Sequence, residues 1–149
     1  MKVRYGFVTN SSSSSFILSF HSKNRILEDL AKEHLSDKEL SLLVNAVSCG
    51  TVMTRKQLQE YITQEVTEDI RYLRWAENQG VCPIIDWDAP IKGKWREERN
   101  RRVSALMGKI PARTHVVQIE AGINTLSGSI LEDEILPNLS VTKITFNHH

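Results

Sequence analysis

The sequence predicts an α+β fold: a small mixed or antiparallel sheet built from N- and C-terminal strands, with four to five helices covering one face. Three observations predict it. Apolar residues alternate with a period of two near both ends, a 3.6-residue period fills the middle, and the outer strands can bury their apolar faces only by pairing in one sheet. A length of 149 residues with 40% hydrophobic content suits a single domain over residues 1–149 whose core needs no staples or metals.

Val3, Tyr5 and Phe7 alternate with Lys2, Arg4 and Gly6, the pattern of a short half-buried strand. Thr9, Asn10, Ser11, Ser12, Ser13, Ser14 and Ser15 follow; their side chains compete for nearby backbone groups, so the run reads as a loop. Phe16, Ile17, Leu18 and Phe20 then make a strand apolar enough to be buried on both faces. From Ser22 the period changes, and Ile26, Leu27, Leu30, Ala31, His34 and Leu35 share one helix face. Ser36 with Glu39 is a capping box that opens a second helix, with Leu40, Leu43, Val44 and Val47 as its stripe and Gly50 as its stop. Thr54 with Gln57 repeats the box. Leu58, Tyr61, Ile62, Val66, Ile70, Leu73 and Ala76 continue one face toward Gly80, a helix of about 24 residues and roughly 36 Å.

Residues 82–90 (CPIIDWDAP) are bracketed by prolines and read as a loop. A further helix begins at Lys92 or Lys94, turns Trp95, Val103, Leu106 and Met107 inward, and is ended by Gly108 and Pro111. Residues 115–120 alternate as a strand, residues 130–136 form a short helix stopped by Pro137, and Val141, Ile144 and Phe146 mark a closing strand. The sheet is therefore expected to draw three or four strands from residues 2–8, 15–21, 115–121 and 141–147.

Nineteen Lys+Arg against 18 Asp+Glu leave a net charge of +1, which excludes a histone-like, polybasic membrane-binding or polyacidic protein. Cys49 and Cys82 form no CxxC, so neither a zinc ribbon nor a redox dithiol is encoded. They read as buried free thiols in a reducing compartment, with a disulfide or a shared metal as alternatives. With no apolar run of 18 residues and no signal-type apolar stretch, a cytoplasmic location and no membrane partner are expected.

Residues 6–17, GFVTNSSSSSFI, resemble the amino-terminal signature of a scattered set of small uncharacterised bacterial, archaeal and phage proteins. Members of that set often end in a strand followed by paired histidines, preceded by an acidic glycine-containing segment and a Leu-Glu. Glu120, Gly122, Leu131, Glu132, His148 and His149 stand in those places here, although this chain has Glu120-Ala-Gly where the others more often carry an acidic Ser-Asp turn. The resemblance implies a phage or mobile-element context, and a small protein that acts by binding something of the host.

Three groups of residues carry candidate chemistry. Asn10, Ser11, Ser12, Ser13, Ser14 and Ser15 concentrate backbone N–H groups and hydroxyls of the kind that cradle phosphate or carboxylate oxygens; a structural loop and a modification site are the competing readings. The Walker A frame is missing, so an NTPase is not indicated. Residues 92–113 hold eight basic residues against two acidic, a net +6, while the rest of the chain carries −5. Arg96, Arg99 and Arg102 on this basic helix can meet phosphates or an acidic protein, and Trp75, Trp87 and Trp95 can stack on bases. Against that, Glu97 and Glu98 lie within reach of Arg101 and Arg102, which fits an ion-paired solvated face. Finally, His148, His149, Glu120 and His21 stand at predicted strand ends that can converge on a divalent metal such as zinc, manganese or iron, with His34, His115, Asp86, Asp88 and Glu132 as further donors.

No nucleophile sits in a GxSxG elbow or a recognisable cysteine context. The expected function is thus a non-enzymatic binding protein that engages a nucleotide, a nucleic acid or an acidic host protein through the serine loop and the basic helix. A metal-dependent hydrolase or nuclease using the histidines and a carboxylate is the competing expectation.

Overall fold

The computed structural model describes residues 13–77, 93–122 and 126–147, with side chains described for these except at 74–77, 126 and 127. The elements are β1 (Ser13–Phe20), α1 (Ile26–Ala31), α2 (Asp37–Ser48), β2 (Thr51–Met53), α3 (Arg55–Glu77), α4 (Lys94–Met107), β3 (His115–Gly122), α5 (Leu126–Ile130) and β4 (Thr142–Asn147). A 3-10 turn, Lys23–Arg25, precedes α1, and α5 passes into a π turn, Leu131–Ile135, and a 3-10 turn, Leu136–Asn138. Among the described residues, five helices and one four-stranded antiparallel sheet make this an α+β protein. No helix among the described residues is long and apolar enough to cross a membrane.

Local chemistry sets the helix starts. Ser36 Oγ accepts from the Glu39 N–H at 3.2 Å, and Glu39 Oε1 accepts from the Ser36 N–H at 3.0 Å, so two orphan donors of α2 are satisfied reciprocally. Thr54 and Gln57 do the same before α3, at 3.1 and 2.9 Å. Both boxes stand where the sequence puts them.

The chain divides into two compact units, Met1–Met53 with Ile110–His149, and Thr54–Lys109. In the first unit the strand order is β2-β3-β1-β4. One face of the sheet carries Phe16, Leu18, Phe20, Val117, Ile119 and Ala121, which cluster with Leu30 of α1, Leu43 and Val47 of α2, and Leu131, Ile135 and Leu136 of the turns after α5. Alternation along β1 and β3 places Ser15, Ile17, Ser19, Val116 and Gln118 on the opposite face, and these are buried too. Strand β1 is thus buried on both sides, as its apolar run leads one to expect.

In the second unit α3 and α4 pack together. Leu58, Ile62, Val66 and Ile70 are the buried stripe of α3, and Val103 is the buried residue of α4. Arg55 Nη2 at the start of α3 donates to the Met107 carbonyl at the end of α4 at 3.2 Å, while Arg102 meets Asp69 further along, so the helices run in opposing directions. The guanidinium satisfies a carbonyl that the helix end leaves without an intrahelical partner.

Several expectations are corrected. Ser13, Ser14 and Ser15 belong to β1 rather than to a loop, because cross-strand pairing with Gly122, Ala121 and Glu120 outweighs their weak strand preference. Helix α1 is shorter than the periodicity suggests, and Leu27 is 64% exposed. Strand β2 was not anticipated; three residues are too few to show a period. Cys49 is an exposed free thiol, since it caps the carboxyl end of α2 instead of lying on its buried stripe. The expected strand at 2–8, the loop at 82–90 and Cys82 lie outside the described residues.

Candidate functional site

Two of the serines that reach β1, Ser14 and Ser15, are spent on other parts of the first unit. Ser14, 1% exposed, donates from Oγ to Glu132 Oε1 at 2.8 Å and lies 2.9 Å from Asn147 Oδ1. A hydroxyl carries one hydrogen, so these two acceptors compete for it, and the carboxylate is the stronger. Ser15, fully buried, accepts from Gln118 Nε2 at 2.7 Å. Neither hydroxyl faces solvent, so neither is placed to cradle an external anion. Ser13 is half-buried at the strand start, and Asn10, Ser11 and Ser12 lie outside the described residues.

Register decides which of the expected metal donors meet. Glu120 pairs with Ser15, near the start of β1, whereas His21 follows Phe20 at the far end. Six residues at roughly 3.3 Å each separate them by about 20 Å along the strand. His21 and Glu120 therefore do not converge, because antiparallel pairing puts the end of β3 beside the beginning of β1. His148 and His149 lie outside the described residues, as do Asp86 and Asp88. Among the described residues, no group of three or more His, Cys, Asp or Glu side chains is arranged to hold a metal ion.

His21 has a partner that sequence reading missed. Its backbone N–H donates to Asp29 Oδ2 at 2.8 Å and its Nδ1 lies 2.7 Å from Asp29 Oδ1. The imidazole is 64% exposed while the carboxyl is 4% exposed, so α1 holds the end of β1 through a buried acid. Burial opposes ionisation of Asp29, but the backbone and ring hydrogen bonds from His21, with the neighbouring positive charges, outweigh it and lower its pKa below 3.8. A lowered folded-state pKa means that this stabilisation is complete above the ordinary carboxylate value and disappears as pH falls through the lower one. Asp29→Asn is expected to cost about 1–2 kcal/mol at pH 7 in urea unfolding. The gap from the unsubstituted chain closes as the pH drops below 3.8. A gap that is constant down to strong acid would contradict this account. The signal that would have found the pair is an acid eight residues after a histidine and next to Leu30, on the buried side of a short helix.

The basic helix separates into two parts. Glu98 Oε1 accepts from Arg101 Nη2 at 2.5 Å and from Arg102 Nε at 2.9 Å, and Arg102 Nη1 also donates to Asp69 Oδ2 at 2.9 Å. Hydrogen bonds from Arg101 and then Arg102 hold the Glu98 carboxyl down to about 2, so it stays ionised and keeps compensating both guanidiniums. Arg102, expected to contact a ligand, is held by Glu98 and also links α4 to Asp69 of α3. Toward the start of α4 the situation differs. Arg96 is exposed, Arg99 donates to its neighbour Asn100 Oδ1 at 3.3 Å, and the Lys94 ammonium lies 5.3 Å from the centre of the half-buried Trp95 ring. None of these three cations has an ion pair among the described residues.

A shallow pocket of about 280 Å³ lies in the first unit, lined by residues including Cys49, Thr51, Gln118 and Glu120. No protein-family model, curated protein or solved structure matches this chain.

Proposed function

We propose that the chain is a non-enzymatic binding protein that engages nucleic-acid phosphates through the first two turns of α4. The observation that carries this reading is the division of charge along the helix. Arg101 and Arg102 are compensated by Glu98 and Asp69, while Lys94, Arg96 and Arg99 are not compensated by any described carboxylate. Arg96 and Arg99 stand three apart and so share one side of the helix. A guanidinium offers a planar fork of donors that fits two phosphate oxygens, which makes an arginine pair at helical spacing a better phosphate contact than a diffuse positive field. The field itself reaches only about 8–10 Å at moderate salt, so recognition is by contact.

Anisotropy of a labelled oligonucleotide of about 15 nucleotides, titrated with the full chain at roughly 50 mM salt, tests this. Arg96→Glu combined with Arg99→Glu is expected to weaken binding at least about tenfold. Arg101→Gln, which removes a cation already held by Glu98, is expected to change it by less than about threefold. An unsubstituted chain that binds no oligonucleotide at this salt, or a double reversal that binds as well, overturns the proposal.

A further inference from the structure

We infer that the nucleic acid recognised by α4 is single-stranded, with a base stacked on Trp95 and the adjoining phosphates held by Lys94, Arg96 and Arg99. The inference rests on the phosphate-binding reading above and names its substrate class. Duplex recognition lays a helix in a groove so that three or four of its side chains reach base edges, and it has no use for a stacking ring. On α4, Val103 is buried and Arg102 is tied to Asp69 of α3, so the cations without a described partner sit in the first two turns. That stretch holds one half-buried aromatic ring among three cations that no described carboxylate compensates, the composition of a single-strand platform, where bases stack and cations track the backbone.

The Lys94 ammonium over the Trp95 ring supplies the second half of the argument. A flexible side chain reaches that ring, so the ring is open to a group of modest size, and its π density already attracts a cation there. A nucleobase that takes the place of the ammonium gains a stacking partner and releases Lys94 toward a neighbouring phosphate. Arg99 stands four residues after Trp95, hence beside the ring on the same side of the helix, and Arg96 lies one turn before Arg99. One base and two or three phosphates thus define the footprint.

The test uses the full chain and two probes of one sequence, a mixed-sequence DNA strand of about 15 nucleotides and its duplex. Single-strand affinity is expected to exceed duplex affinity, with a slope of log K on log salt of about −2 for three neutralised phosphates. Trp95→Ala should weaken single-strand binding roughly tenfold and leave duplex binding nearly unchanged, while Trp95→Phe keeps most of the affinity. A chain carrying Trp75→Phe and Trp87→Phe retains Trp95 as its one indole and needs no substitution at the site. Its emission should be quenched on adding oligothymidylate. Equal binding of both probes, a neutral Trp95→Ala, or unquenched emission with the strand bound refutes the stacking inference while the phosphate reading stands. If neither probe binds, the phosphate reading itself has failed, and the two failures are thereby told apart.

Discussion

Ser14→Ala is expected to lower stability by about 2–3 kcal/mol, a shift of roughly 1 M in the urea midpoint at ordinary slopes for a small protein. The hydroxyl donates to Glu132 inside the first unit, where water cannot replace it: Ser14 is 1% exposed and Glu132 5%. Removing the donor takes from a buried carboxylate one of the contacts that offset its burial, which costs more than the bond itself contributed. Removing both groups is a different experiment. Ser14→Ala with Glu132→Leu deletes the acceptor as well as the donor, so the double variant should regain part of the loss, and the two substitutions should be non-additive. A Ser14→Ala chain that unfolds within about 0.5 kcal/mol of the unsubstituted one would show that the hydroxyl is not needed where it lies.

Gly50→Ala is expected to cost about 3 kcal/mol, at the upper end for an added methyl. A Cβ at this position would stand 2.6 Å from Val117 Cγ1, 2.9 Å from the Gln118 carbonyl oxygen and 3.3 Å from Ile119 Cγ1. Val117 is β-branched and buried, so it cannot swing aside, and the Gln118 oxygen belongs to the backbone that pairs with Thr51. Relief requires moving the end of α2 or drawing β2 away from β3. Thermal unfolding followed by circular dichroism measures the cost, and amide exchange at Thr51, Val52 and Met53 should accelerate more than elsewhere. Unchanged exchange in β2 would mean that the crowding is relieved by some other movement.

Legibility in the sequence followed the range of the interactions. Ser36 with Glu39 and Thr54 with Gln57 are complete within four residues, so both helix starts could be read directly. The stripe from Leu58 to Ile70 is equally local in period, and all four of its innermost residues are buried. Ser14 and Ser15 misled for the opposite reason: alone they favour turns, and only Ala121, Glu120, Glu132 and Gln118, all more than 100 positions later, make them strand residues. The placing of His21 and Glu120 at opposite ends depended on strand register, which periodicity does not encode. Asp29 was overlooked because it looks like one more acid in a polar helix. For the α4 patch, composition announced the basic run, but which cations remain available depended on Asp69 in another helix.

The sheet order β2-β3-β1-β4 also sets a timetable for the growing chain. Strand β1 precedes the other three, yet it lies between β3 and β4, and the Ser14 to Asn147 contact spans 133 positions. At roughly 5–20 residues per second, its second neighbour is synthesised about 7–27 s after it. The capped helices α2 and α3 need no distant partner to begin forming, but the strand waits. Until β3 is made, Phe16, Ile17, Leu18 and Phe20 are a bare apolar run with open edges on both sides, one edge stays open until β4 follows, and this is where aggregation or chaperone capture would act first.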